Sequence, residues 1–141
     1  TAGGAGLITP DLIPDEAGEW LNVSDQLDLD RVFLATPTST AERMKRACEL
    51  SRGFVYSVST MGITGTRDSV DDLAKKVVAS VRATESSQNT AVGIGISTAD
   101  QVAEVNTYAD GAIVGSAFVR AYQLGGLSEL QQKVQELNPN K

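Results

Sequence analysis

Five short apolar runs recur along this chain, each followed by a stretch with helical spacing. That alternation restricts the fold more than any other feature. The runs are AGLIT (5–9), RVFLAT (31–36), FVYSVS (54–59), TAVGIG (90–95) and GAIVG (111–115). None alternates cleanly between apolar and polar, a pattern that predicts strands covered on both faces. Helix signals fill the intervals. DEAGEWL (15–21) is short. TAERMKRACEL (40–50) has Thr40 as an N-cap, with Arg43 and Lys45 toward solvent. SVDDLAKKVVASVRA (69–83) opens on Ser69 and Asp72 in capping-box positions, with Val70, Leu73, Val77, Val78 and Val81 on one face. TADQVAEVNTY (98–108) turns Val102 and Val105 inward, and LSELQQKVQEL (127–137) sets Leu127, Leu130, Val134 and Leu137 at helical spacing.

Strand then helix, five times over, implies a parallel sheet with right-handed crossovers. The class is α/β, either doubly wound or part of a (β/α)8 barrel. No internal linker breaks the pattern, so residues 1–141 read as one domain of five units. In both architectures ligands sit at the C-terminal ends of the strands. Glycine-rich segments follow the last three runs: GITG (62–65), GIG (93–95) and GS (115–116). MGITGTRDS lies in the longest interval and is a candidate loop over a site. GSAFVRAY (115–122) reads as a short extra helix with Ser116 near its start.

The glycines Gly93 and Gly95 admit two readings. They make a tight turn, or they let a ligand approach the backbone while the next helix start presents N–H groups to an anion. The other singled-out residues have structural readings too. Gly62 and Gly65 suit turns, Tyr56 suits a core position, Ser116 suits a helix cap, and Trp20 suits a helix–sheet seam. Pro10 and Asp11 suit a turn, and Asp15 and Glu16 are favourable near a helix start.

Composition removes whole classes of chemistry. The chain has no histidine and one cysteine, Cys48. No Ser–His or Cys–His pair can form, no internal disulfide is possible, and the usual zinc ligand sets are absent. Cys48 falls on the apolar side of its helix as a buried, inert thiol. Its lone thiol fits a reducing, cytoplasmic setting. A net charge of −6 argues against a nucleic-acid partner. No apolar stretch approaches the roughly 18 residues of a membrane span, and no signal peptide is evident.

Five stretches together resemble the tryptophan synthase alpha subunit: LITPDLIPDEA, FLATPTSTAERM, GFVYSVSTMGITGTR, AVGIGISTADQV and ADGAIVGSAFVR. They occur in the family's order and cover nearly the whole chain. GFVYSVS followed by GITG is the most specific part and argues against other phosphosugar barrels. The resemblance implies a TIM (β/α)8 barrel of which this chain is the C-terminal portion, strands four to eight. It implies retro-aldol cleavage of indole-3-glycerol phosphate to indole and glyceraldehyde 3-phosphate in tryptophan biosynthesis. By the same resemblance, phosphate rests on backbone N–H groups at Gly65, Gly95, Gly115 and Ser116. Tyr56, Thr64, Gly93 and Ile94 line the substrate. The family's two catalytic carboxylates belong to strands that this chain lacks, so no catalytic residue is assigned here, and Asp11 and Glu16 do not replace them. The chain is therefore expected to be inactive alone; the alternative is a non-catalytic, phosphate-binding half-barrel. No metal or cofactor is implied for it. Pyridoxal phosphate belongs to the family's beta-subunit partner, and the PDLIPDEA loop is the candidate remnant of that contact. A cut barrel exposes strand edges and its interior. Self-association, or pairing with the missing half-barrel, is the expected result.

Overall fold

A computed structural model of the chain describes residues 3–58, 67–93 and 95–138, with the side chains of 67–71 excluded. The elements alternate as expected. Strand β1 (Gly6–Ile8) leads through a 3-10 turn at Pro14–Glu16 into helix α1 (Gly18–Gln26). Then come β2 (Asp30–Val32), β3 (Leu34–Ala35), α2 (Ala41–Leu50), β4 (Phe54–Val58), α3 (Arg67–Arg82), β5 (Asn89–Gly93), α4 (Ala99–Val105), β6 (Gly111–Ala112) and α5 (Ser116–Leu137). All pairings are parallel: β1 with β2, and β3, β4, β5 and β6 in that order. The chain thus repeats strand and helix in the manner of the TIM barrel.

The run RVFLAT is two strands rather than one. Its ladder to β1 ends at Val32, while its ladder to β4 pairs Leu34 with Tyr56 and Ala35 with Ser57. The two ladders are staggered along the chain, as curvature toward a barrel requires. Phe33 bridges them, fully buried, and its carbonyl accepts from the Tyr56 N–H at 3.0 Å.

The expectation of strands covered on both faces is corrected. One face of the sheet is sealed by helices: Ala35, Val55, Ser57, Thr90 and Val92 are buried there. The opposite face carries Leu34, Tyr56, Ala91 and Gly111 on one rung, all only half-buried. The apolar runs are continuous because each strand has apolar residues on both faces, but only one face meets the helices. Edge strand β1 is exposed throughout, with Leu7 55% accessible.

Three packing groups hold the helices down. Met44, Cys48, Val77 and Val81 meet Ala35 and Val55. Ala74, Val78, Val102, Val105 and Leu137 gather around Val92 and Ile96. Ala17, Phe33 and Ala47 form the third, with Trp20 against it at the expected seam. On the β4–β5 boundary two buried hydroxyls, Ser57 and Thr90, satisfy one another at 2.7 Å. At the N-terminal ends of the strands, buried Arg31 donates to Leu50 O at 3.1 Å and to Ser24 Oγ at 2.9 Å, and pairs with Asp25. One guanidinium thereby joins β2 to both α1 and α2.

Several helix expectations change. The helix read at 15–21 is a 3-10 turn followed by an α-helix that runs on to Gln26. Helix α3 starts at Arg67, so Ser69 lies inside it and is not its N-cap. Leu73 is 36% exposed, although Val77, Val78 and Val81 are buried as expected. Along α5 the stripe at 127–137 buries Leu137 but leaves Leu127 63% exposed. The exposure of Leu73 and Leu127 has one cause. Periodicity locates a face but not the element that covers it.

Candidate functional site

The C-terminal rim of the sheet is where the glycine segments were expected to act. Among the residues assigned there, Thr64, Gly65 and Ile94 lie outside the described residues, as does Gly62. Of the described ones, Gly93, Gly95, Gly115 and Ser116 fall at or beyond the ends of β5 and β6, and Tyr56 lies in the middle of β4.

Gly93 and Gly95 have different reasons for being glycine. Val58 pairs with Gly93, two residues along β4 from Tyr56 on the same face. A Cβ on Gly93 would sit 2.7 Å from Tyr56 Cζ and overlap the hydroxyl oxygen. Gly93 is therefore the floor against which the Tyr56 ring rests. Gly95 is free of such contact but has φ +71, where an L side chain is strained. Ile96, the next residue, is in the core, 1% exposed.

The helix start after GIGIST is capped by its own side chains. Thr98 caps α4 and accepts from the Gln101 N–H at 3.3 Å. The Gln101 carboxamide oxygen accepts from the N–H groups of Ser97 at 2.8 Å and Thr98 at 3.0 Å. The capping box thus occupies the N–H groups of Ser97, Thr98 and Gln101. The sequence carries the signal for this cap, Thr98 followed three residues later by Gln101.

The start of α5 differs. Gly115 is its N-cap, and no side chain caps the first turn. The extra helix expected at GSAFVRAY is present as 116–124, because α5 breaks at Gly125 and Gly126 before continuing over 127–137. Ser116 shares a cavity of about 510 Å3 with Ser97, Arg120 and Lys133. Arg120 stands one turn beyond Ser116, a spacing that puts both on one helix face; this cation was missed in the sequence. Glu129 and Glu136 also line the cavity, and Lys133 is held by Glu136 at 2.9 Å.

On the same rim, the TPTST turn after β3 is tied by its own hydroxyls. Ser39 Oγ accepts from the Thr36 N–H at 3.2 Å and meets the Thr36 hydroxyl at 3.0 Å. Among the described residues no group of three His, Cys, Asp or Glu side chains could hold a metal. Nor is any described helix long and apolar enough to cross a membrane.

The family model for the tryptophan synthase alpha chain matches residues 1–141. The chain belongs to the tryptophan synthase alpha family. The tryptophan synthase alpha chain of Leifsonia xyli subsp. xyli is 56% identical over 97% of this chain and 52% of that relative. The Mycobacterium avium alpha chain is 52% identical over 96% of this chain and 50% of that relative. A solved structure of Mycobacterium tuberculosis tryptophan synthase superposes with a TM-score of 0.86 at 50% identity, covering 96% of this chain and 51% of its counterpart. The Pyrococcus furiosus α2β2 complex gives 0.79 at 31% identity over 94% and 54%. The chain spans about half the length of the curated relatives it matches. The parallel strands and alternating helices are thus those of the family's TIM barrel, in about half its length.

Proposed function

We propose that this chain supplies the phosphate- and substrate-side half of a tryptophan synthase alpha barrel, as a single domain of five β/α units. The observation that carries the reading is the start of α5. It is a helix N-terminus at the C-terminal rim, not closed by a side chain, with Gly115 and Ser116 at the positions that the family resemblance assigns to phosphate. A phosphate dianion there accepts from the first N–H groups of α5, which carry the helix's partial positive charge. Gly95 adds a backbone donor from the β5 loop, and Gly65 adds one from the loop after β4. Tyr56, held by Gly93, presents its ring on the open face, where the indole of indole-3-glycerol phosphate lies beside Ile94. Thr64 orders the loop that closes over it, which excludes water from the cleavage step.

Retro-aldol cleavage to indole and glyceraldehyde 3-phosphate needs carboxylates to move protons at the indole and at the glycerol hydroxyl. None is assigned in this chain, so the chain alone binds and does not turn over. The barrel's other half supplies them, in the cytoplasm, and the beta subunit docks against the PDLIPDEA side of the completed barrel.

The test is a titration of the labelled 141-residue chain with glycerol 3-phosphate, followed by amide NMR. Saturable shifts at Gly95, Gly115 and Ser116 support the reading. Well-dispersed spectra that do not move overturn it. Indole release from indole-3-glycerol phosphate by the purified chain alone contradicts the assignment of the carboxylates elsewhere.

A further inference from the structure

A second cavity lies on the helix side of the sheet, opposite Tyr56. Helices α2 and α3 meet through Met44 and Val77 above Ala35 and Val55. Outside that contact they part and leave a groove of about 510 Å3. Its floor is apolar, with Met44, Val77 and Ala83. Its two banks carry Lys45 from α2 and Lys76 from α3.

The charge of this groove runs against that of the chain. The sequence has 18 acidic and 12 basic residues, yet no described Asp or Glu lines the groove. The cavity beside Ser116 is different, because its Arg120 and Lys133 are balanced by Glu129 and Glu136. Lys45 reaches Glu49, one turn along its own helix, only at 3.8 Å. Lys75 pairs with Glu104 at 3.5 Å, whereas its neighbour Lys76 has no ion-pair partner among the described residues. The groove is therefore lined by two lysines, one in a long ion pair and one without an ion-pair partner among the described residues.

We propose that the α2–α3 groove binds a small carboxylate with an apolar body. The hydrocarbon part packs over Leu73 and Ala83, accessible apolar side chains of the lining, which removes apolar surface from water. The carboxylate accepts from Lys76 and Lys45 on the rim, where charge-assisted hydrogen bonds are stronger than neutral ones. The groove reaches the TPTST turn at the rim, but none of Gly95, Gly115 and Ser116 lines it, so it is occupied independently of glycerol 3-phosphate.

Octanoate is the probe, with octanamide as its uncharged match, in amide NMR titrations of the labelled chain. The expected result is saturable shifts over 41–45 and 76–84 with octanoate, and binding about fivefold weaker for octanamide. Lys76→Gln and Lys45→Gln each weaken octanoate binding, and Lys76→Arg retains it. Both lysines are exposed, so retained peak dispersion confirms that the variants fold. Shifts confined to the open face around Tyr56 or to the apolar stripe of α5 overturn the proposal. So does equal affinity for octanamide, or undiminished octanoate binding in the Lys45→Gln/Lys76→Gln double variant.

Discussion

At the scale of the residue, the contact between Gly93 and Tyr56 sets the tightest constraint on the rim. Gly93→Ala places a methyl 2.7 Å from Tyr56 Cζ, at the last residue of β5, where the backbone is paired with Val58 of β4. Overpacking of this kind costs about 1–3 kcal/mol. Urea unfolding should show that loss, and the loss should shrink when Tyr56→Leu removes the ring. Equal losses in both backgrounds would separate Gly93 from Tyr56. The Ser57–Thr90 pair makes a different demand. Ser57→Ala leaves the buried Thr90 hydroxyl without its 2.7 Å partner, a loss of about 1–3 kcal/mol by the same assay.

Cys48 gives the fold an alkaline limit. Burial pushes its thiol above the usual 9.0, the Thr84 side chain pulls it back, and Glu49 adds to the rise. The unfolded thiol ionises first as pH increases, so the contribution is full below the unfolded value and is lost as pH rises through the folded one. Cys48→Ala should flatten the decline in stability above about pH 9. Unchanged pH dependence in the variant would remove the thiol from the account.

At the scale of the element, the two helix starts on the rim divide the work. Helix α4 uses Thr98 and Gln101 to satisfy its own N-terminus, whereas α5 begins at Gly115 with no such cap. Thr98→Ala should therefore cost about 1 kcal/mol of stability, the usual value of an N-cap. It should leave the affinity for glycerol 3-phosphate unchanged. A large loss of affinity with intact stability would mean that α4 takes part in the binding. The break at Gly125 and Gly126 matters at this scale too. It turns what would be one long helix into a short rim helix and a second helix that reaches the core through Leu137.

At the scale of the whole molecule, the sheet has one sealed face and one open face. Leu34, Tyr56 and Ala91 are half-buried on the open side, and Leu7, Val119, Tyr122, Leu124 and Leu127 add exposed apolar surface. Exposed apolar surface drives association, and β1 and β6 each lie at an end of their sheet's strand order. Sedimentation of the chain should show species larger than a monomer, shifting to smaller species on dilution. A concentration-independent monomer would show that the open face is tolerated in water.

Most of the element order could be read from the chain because it rests on local signals. The apolar runs, the Thr40 cap and the inward Val102 and Val105 all depend on residues a few positions apart, and each appears where spacing places it. The family motifs were also legible, since they are contiguous strings. What periodicity alone could not decide was which apolar face would find a cover. The same continuous runs suit a strand sealed on both sides or on one, and the stripe at 127–137 gives the same pattern whether it is packed or exposed. Nor could spacing reveal that Gly93 is a floor for Tyr56, because the two residues meet only when β4 and β5 pair in register. The sequence by itself determined the alternation and the chemistry available at the rim. The tertiary structure decided which N–H groups stay open, which ring rests on which glycine, and which face meets water, because those depend on contacts between segments distant along the chain.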